Sequence, residues 1–337
     1  MVFRKATIED LQEISKIYAD IHTAEECSKV TIGWIRNVYP TDATAEEALQ
    51  RNDLFVAVDD NLVVGAAIIN KQQPDAYRDG HWNYVVSEPE VMVLHTLVID
   101  PAQSGKGYGK RFVDFYERYA VSQGCRYLRM DTNAKNNNAR TMYKKLGYKE
   151  IDIVPCVFNG IKDVQLVLLE KELSYQIRII KESDLDSLLL VKRDASVHTD
   201  RFRQQRDGKA VYLGVFINNY AIGYVLLSLE NKEDVMVYTD HEKCADMIDL
   251  LIIEPLRNCG IGSQLVVACE ECCKENEIPY LGLDVNPTDN PDAKRLYERL
   301  GYHAVGEIHL DGVYEYTDEQ GNQGKYEDWC IDMIKRM

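Results

Sequence analysis

The chain has 337 residues, enough for two domains that each bury a core. Its 55 Asp and Glu outnumber 39 Lys and Arg, and the net charge of −16 disfavours nucleic acid and anionic membrane as partners while suiting a cationic one. No stretch approaches the roughly 20 apolar residues that span a bilayer, no apolar leader core opens the chain, and nine dispersed cysteines suit reduced thiols, so a cytoplasmic protein is expected.

In chain order, residues 3–14 read as a short strand, a Thr cap with an acidic first turn, and a helix. A long segment through residues 30–40 follows, with a further helix at 44–51. Residues 54–69 form a hairpin turning at Asp60-Asn61, which tolerate positive φ. Then come a strand, a glycine-rich turn, a helix, another strand, a Tyr-bearing helix and a closing strand at 164–169. From Tyr175 the order repeats: residues 177–188 echo the opening, 211–227 form a hairpin at Asn218-Asn219, and 329–334 close the chain. The expected division is therefore 1–174 and 175–337. Alternating strands and helices give an α/β fold with a mixed sheet in each half.

The repeat is sharpest at two signatures. Leu97-Val-Ile-Asp-Pro-Ala-Gln-Ser-Gly-Lys-Gly-Tyr-Gly-Lys110 and Leu251-Ile-Ile-Glu-Pro-Leu-Arg-Asn-Cys-Gly-Ile-Gly-Ser263 each run from a strand through a glycine turn into a helix. Such a turn binds anions, because glycine lets backbone N–H groups approach a phosphate and the helix N-terminus adds partial positive charge. Downstream, Asn136, Ala139, Tyr143, Gly147 and Tyr148 recur with the same spacing as Asn290, Ala293, Tyr297, Gly301 and Tyr302.

At these residues the chain resembles the GNAT superfamily of acetyl-CoA-dependent N-acetyltransferases, present in tandem. The resemblance implies two domains, each a mixed, mostly antiparallel sheet flanked by helices, with acetyl-CoA as co-substrate and a small-molecule or peptide amine as acceptor. It implies that Ser104, Gly105, Lys106, Gly107, Tyr108, Gly109 and Lys110, and likewise Arg257, Asn258, Cys259, Gly260, Ile261, Gly262 and Ser263, cradle the pyrophosphate. Arg257, Gly260 and Gly262 match the family's loop in full, whereas Ser104 stands where Arg or Gln is usual. Amides near Leu97-Val98 and Ile252-Ile253 are expected to hold the thioester carbonyl. Asn136 and Asn290 contact pantetheine or acceptor, or else cap their helices. Tyr143 and Tyr297 protonate the departing thiolate in at least one domain, or pack against the sheet.

For the general base, His95 and Asp249 stand six residues before each Pro and are taken as equivalent. Asp246, Glu254, Glu90 and Asp100 are alternatives. No metal is expected: Cys269, Cys272 and Cys273 lack a second ligand pair and lie on a helix, where small apolar residues pack. The acceptor's identity, acyl-chain preference and oligomeric state are not encoded in any motif.

Overall fold

Each half starts from the same electrostatic knot. Arg4 donates to both oxygens of Asp10 (2.6 and 2.8 Å), and Asp10 also accepts from the Thr7 amide at 2.7 Å, so the first strand is tied to the helix that follows. Arg178, Asp184 and the Lys181 amide repeat this at 2.6, 2.9 and 2.8 Å. A fork of two charge-assisted bonds fixes direction as well as distance, which sets the angle between strand and helix.

The computed structural model describes residues 1–317 and 323–337, and the chain divides into two units, Met1–Ser174 and Tyr175–Met337. The first comprises β1 (Val2–Lys5), α1 (Leu11–Glu26), α2 (Asp42–Gln50), β2 (Leu54–Asp59), β3 (Leu62–Asn70), β4 (Val91–Ile99), α3 (Tyr108–Ser122), β5 (Tyr127–Asn133), α4 (Asn137–Lys145), β6 (Lys149–Phe158) and β7 (Ile161–Glu172). The second comprises β8 (Tyr175–Ile179), α5 (Leu185–Leu188), α6 (Ala195–Arg206), β9 (Ala210–Ile217), β10 (Tyr220–Ser228), β11 (Cys244–Ile252), α7 (Ile261–Glu275), β12 (Tyr280–Val285), α8 (Pro291–Arg299), β13 (His303–Thr317) and β14 (Gln323–Arg336).

Each unit is one seven-stranded sheet with flanking helices, in the order β1-β2-β3-β4-β5-β7-β6 and, equivalently, β8-β9-β10-β11-β12-β14-β13. All neighbours are antiparallel except β4/β5 and β11/β12. The parallel pairing is short. It ends at Leu94↔Met130 in the first unit and at Asp246↔Gly282 in the second, after which the two strands separate and leave a cleft in the sheet. Below the cleft Tyr116 of α3 donates to the carbonyls of Met92 and Arg129 (2.6 and 3.1 Å), fastening the helix across both parallel strands. The outermost strands β6 and β13 carry no hydrophobic signal strong enough to stand out in the sequence, since each pairs on one edge alone.

Opposite α3, Arg129 clamps the segment between β3 and β4 to the sheet. It pairs with the buried Glu170 at 3.1 Å, donates to Gln73 Oε1 and the Tyr84 carbonyl at 2.6 and 2.9 Å, and lies 4.0 Å from the Trp82 ring centroid. This segment carries Tyr77, which is buried against the sheet among Val91, Val93 and Leu168.

Candidate active site

The glycine turns have the backbone an anion cradle requires. Gly105 and Gly107 lie at φ +80°, Gly260 at +79°, and Asn258 at +61°. A Cβ built on Gly105, Gly107 or Gly260 would meet nothing within 4 Å, so their open sides face unfilled space at the N-termini of the 15-residue helices α3 and α7. The last glycine of each loop differs: a Cβ on Gly109 would come 3.2 Å from Met142 Sδ, which makes it a packing contact with α4. Tyr108 and Ile261 turn their side chains inward, Tyr108 bonding Asp59 at 2.6 Å, so only their backbones can serve a ligand. Lys106 donates to Gln103 at 2.7 Å, while Lys110 and Ser104 are exposed and Cys259 stays a free, exposed thiol. Arg257 donates Nε to the Ile252 carbonyl at 3.1 Å, which anchors its guanidinium to the strand end.

At the cleft, Thr96 takes a left-handed conformation (φ +49°), and Thr96 and Leu97 together face the single residue Ala67. This bulge breaks the ladder and frees backbone groups at Leu97. In the second unit Asp249 (φ +52°) and Leu250 face Val225 in the same way. Two expectations change accordingly. Ile252-Ile253 do not supply the free amide: Ile252 pairs with Gly223, and the Ile253 N–H donates to the Ile222 carbonyl at 2.9 Å, so the bulge amide belongs to Leu250. His95 and Asp249 are not equivalent either. Asp249 corresponds to Thr96, and His95 to Ile248, because Pro stands one position later in the second loop.

A cavity of about 430 Å³ opens where β4 and β5 part, and His95, Leu97, Asn136 and Tyr143 all line it. So do Trp34 and Glu47 from the long segment through α2. Asn136 caps α4 through the Ala139 amide at 3.1 Å, whereas Asn290 makes no such cap bond. Burial pushes the Tyr143 hydroxyl well above its ordinary range, and Tyr297 up to about 12, so both stay protonated at neutral pH. His95 is pushed down to about 4 by burial, which leaves it a weak base. Asp53 accepts from Asn70 Nδ2 at 2.7 Å, which turns Asn70 Oδ1 toward His95 Nε2 at 3.1 Å and puts the imidazole proton on Nε2.

The sequence reading passed over Asp131. It is the first β5 residue beyond the parallel pairing and lines the cavity. Burial raises its carboxyl to about 7, against the opposing hydrogen bond from Tyr77 at 2.9 Å. One signal was available: Asp131 and Asp284 stand at matching places in the two repeats, each directly after an apolar residue of its strand.

Asp249 has a different environment. Its Oδ2 accepts from Arg201 at 2.6 Å, Lys192 at 3.0 Å and Tyr224 at 3.1 Å. Burial would raise its pKa, but the two cations outweigh that and hold it below the usual carboxylate range. Tyr224 stands where the first unit has Ala66, and Arg201 lies over its ring, so large side chains fill the bulge region.

A sequence model described as the Acetyltransferase (GNAT) family matches residues 12–148 and 179–302. The chain is similar, at 27% identity over 121 residues, to an aminoglycoside N(6')-acetyltransferase type 1 of Salmonella typhimurium, a match covering 34% of this chain and 79% of that protein. It is 29% identical over 76 residues to an uncharacterized N-acetyltransferase of Methanocaldococcus jannaschii, covering 23% of this chain and only 34% of that relative. An N-acetyltransferase structure from Staphylococcus aureus Mu50 aligns at 21% identity with a TM-score of 0.38, covering 51% of this chain and 98% of the other. With the family match occupying most of both repeats, the chain belongs to the GNAT family of acetyltransferases.

Proposed function

We propose that the chain transfers an acetyl group from acetyl-CoA to a small cationic primary amine by direct attack in a ternary complex, with the chemistry in the first unit. The observation that carries this reading is the cavity at the β4/β5 cleft, where Asp131, the Thr96–Leu97 bulge, Asn136 and Tyr143 converge. The open-sided glycines fit a pyrophosphate, and acetyl-CoA, when bound, supplies the acyl group as a thioester. Asp131 accepts a proton from the acceptor's ammonium, a task suited to a carboxylate with a pKa of about 7. The Leu97 amide offers its N–H to developing negative charge, and Tyr143 donates the proton that the departing sulfur needs and is restored by the second proton, which the nitrogen sheds as the amide forms. His95, a donor through Nε2, and Asp249, locked in its ion pairs, serve as positioning groups.

Glu47 and Asp131, with the Trp34 ring, suit an acceptor carrying positive charge. Such an acceptor has the chemistry of the aminoglycosides named for the Salmonella relative. Nine unpaired cysteines support a reducing, cytoplasmic setting. Among the described residues no helix is long and apolar enough to cross a membrane.

The test is thiol release from acetyl-CoA across a panel of aminoglycosides, polyamines, amino acids and peptide N-termini. Turnover that disappears in Asp131→Asn supports the reading. Tight CoA binding without turnover on any amine assigns the chain to acyl-CoA sensing instead.

A further inference from the structure

In the first unit the carboxylate at the cleft, Asp131, is met by the neutral hydroxyl of Tyr77. The second unit has Asp284 at the same place: Asp131 faces Leu168 on β7, and Asp284 faces Asp332 on β14. Its partner comes from the corresponding segment, between β10 and β11, and is a lysine. Lys232 is buried, with Nζ 2.7 Å from Asp284, 3.2 Å from Asp332 and 3.6 Å from Asp246. Asp246 and Asp332 stand where the first unit has the buried core residues Val93 and Leu168, so the second unit has exchanged apolar core for carboxylate around a single ammonium.

We propose that Lys232, in the place Tyr77 takes in the first unit, holds Asp284 as half of a buried ion pair, so that this unit cradles CoA at its glycine turn but has no free carboxylate there to take a proton from an outside amine. The inference rests on the reading of Asp131 as the base of the first cleft. Asp246 Oδ1 and Asp332 Oδ1 are buried with no hydrogen bond and have Lys232 Nζ as an ion-pair partner at 3.6 and 3.2 Å, so the ammonium is what balances them. Asp284, His309 and Asp332 also lie close enough to offer ligands to one ion, but the ammonium already stands among these carboxylates. With carboxylates around it, Lys232 is held protonated despite its burial, and an ammonium has no lone pair with which to attack a thioester. The bulge of the same unit is filled by Arg201, Asp249 and Tyr224.

The test is rescue in the full-length chain. Lys232→Ala removes the ammonium and leaves three carboxylates facing a vacant stem channel. Its Tm should rise saturably with ethylammonium chloride, beyond the effect of equal potassium chloride, while wild type does not respond. A Lys232→Ala protein whose folding and Tm are indifferent to ethylammonium overturns the proposal. A second measurement needs no variant: after incubation of the wild type with acetyl-CoA, peptide mass mapping should show Lys232 unmodified, and acetylation there overturns the proposal because the residue would then be an acceptor. Neither readout depends on turnover in the first unit, so absence of transferase activity would strike the functional reading separately.

Discussion

At the scale of single residues, Asp131 decides most. Its folded-state pKa of about 7 lies above the ordinary value near 3.9, so between those pH values the folded state binds the proton more strongly than the unfolded chain. Stability at this site is therefore fully present below about pH 4 and is lost as pH rises through 7. Asp131→Asn should raise stability at pH 8 by on the order of 2 kcal/mol, read by denaturant unfolding, and lower turnover by roughly 10²- to 10⁴-fold. The wild-type turnover should climb with pH and level off above about 7, and the Asn variant should lack that inflection. A variant with wild-type turnover and an unaltered profile would remove Asp131 from the proton path. Tyr143→Phe keeps the ring packing against Tyr148 and removes only the proton, so CoA affinity should hold while turnover falls by a similar roughly 10²- to 10⁴-fold factor. Tyr297→Phe should leave turnover unchanged, and a large loss there would move the chemistry to the second unit.

At the scale of elements, the cleft depends on keeping a long segment in place over the sheet. The clamp joins β5, β7 and the chain between β3 and β4 through Arg129 and Glu170, both nearly without solvent exposure. Glu170 Oε2 also accepts from the Asn83 amide at 3.0 Å, so one carboxylate holds both the guanidinium and a backbone amide of the segment. Removing one partner of a buried pair leaves an uncompensated charge, which costs about 3–5 kcal/mol. Glu170→Ala should destabilise the first unit by that amount, measured by urea unfolding, and release the segment bearing Tyr77. A change below about 1 kcal/mol would mean that solvent replaces the carboxylate freely.

At the scale of the whole molecule, if both glycine turns hold CoA and the first cleft alone takes an outside amine, binding and turnover count differently. Calorimetry on the intact chain should find two CoA equivalents, and Gly107→Val or Gly260→Val should leave one. Valine at φ near +80° is strained by about 1–3 kcal/mol, and its side chain would fill the open face of the turn. The equivalent lost with Gly260→Val should be the tighter one, because Arg257 offers a charge-assisted bond, about twice as strong as the neutral hydroxyl of Ser104 can give. Only Gly107→Val should abolish turnover. Equal loss of activity in both variants would show that the units act together.

The repeat, the boundary near Tyr175, the glycine turns and the Asn–Ala–Tyr–Gly-Tyr blocks were legible in the sequence because each is a local pattern: a backbone conformation that needs glycine, or a helical spacing that puts side chains on one face. Tertiary structure alone decided the rest. Which amide is free at the bulge depends on cross-strand register, and counting back from Pro paired His95 with Asp249, although the second loop is shifted by one residue and Asp249 corresponds to Thr96. Whether an aspartate acts as a base or as half of an ion pair depends on neighbours distant in sequence. Tyr77 lies 54 residues from Asp131, while Arg201 lies 48 from Asp249 and Lys232 lies 52 from Asp284. The sequence marks each acid in its strand, but its charge and basicity are set by the dielectric and the partners that folding brings to it.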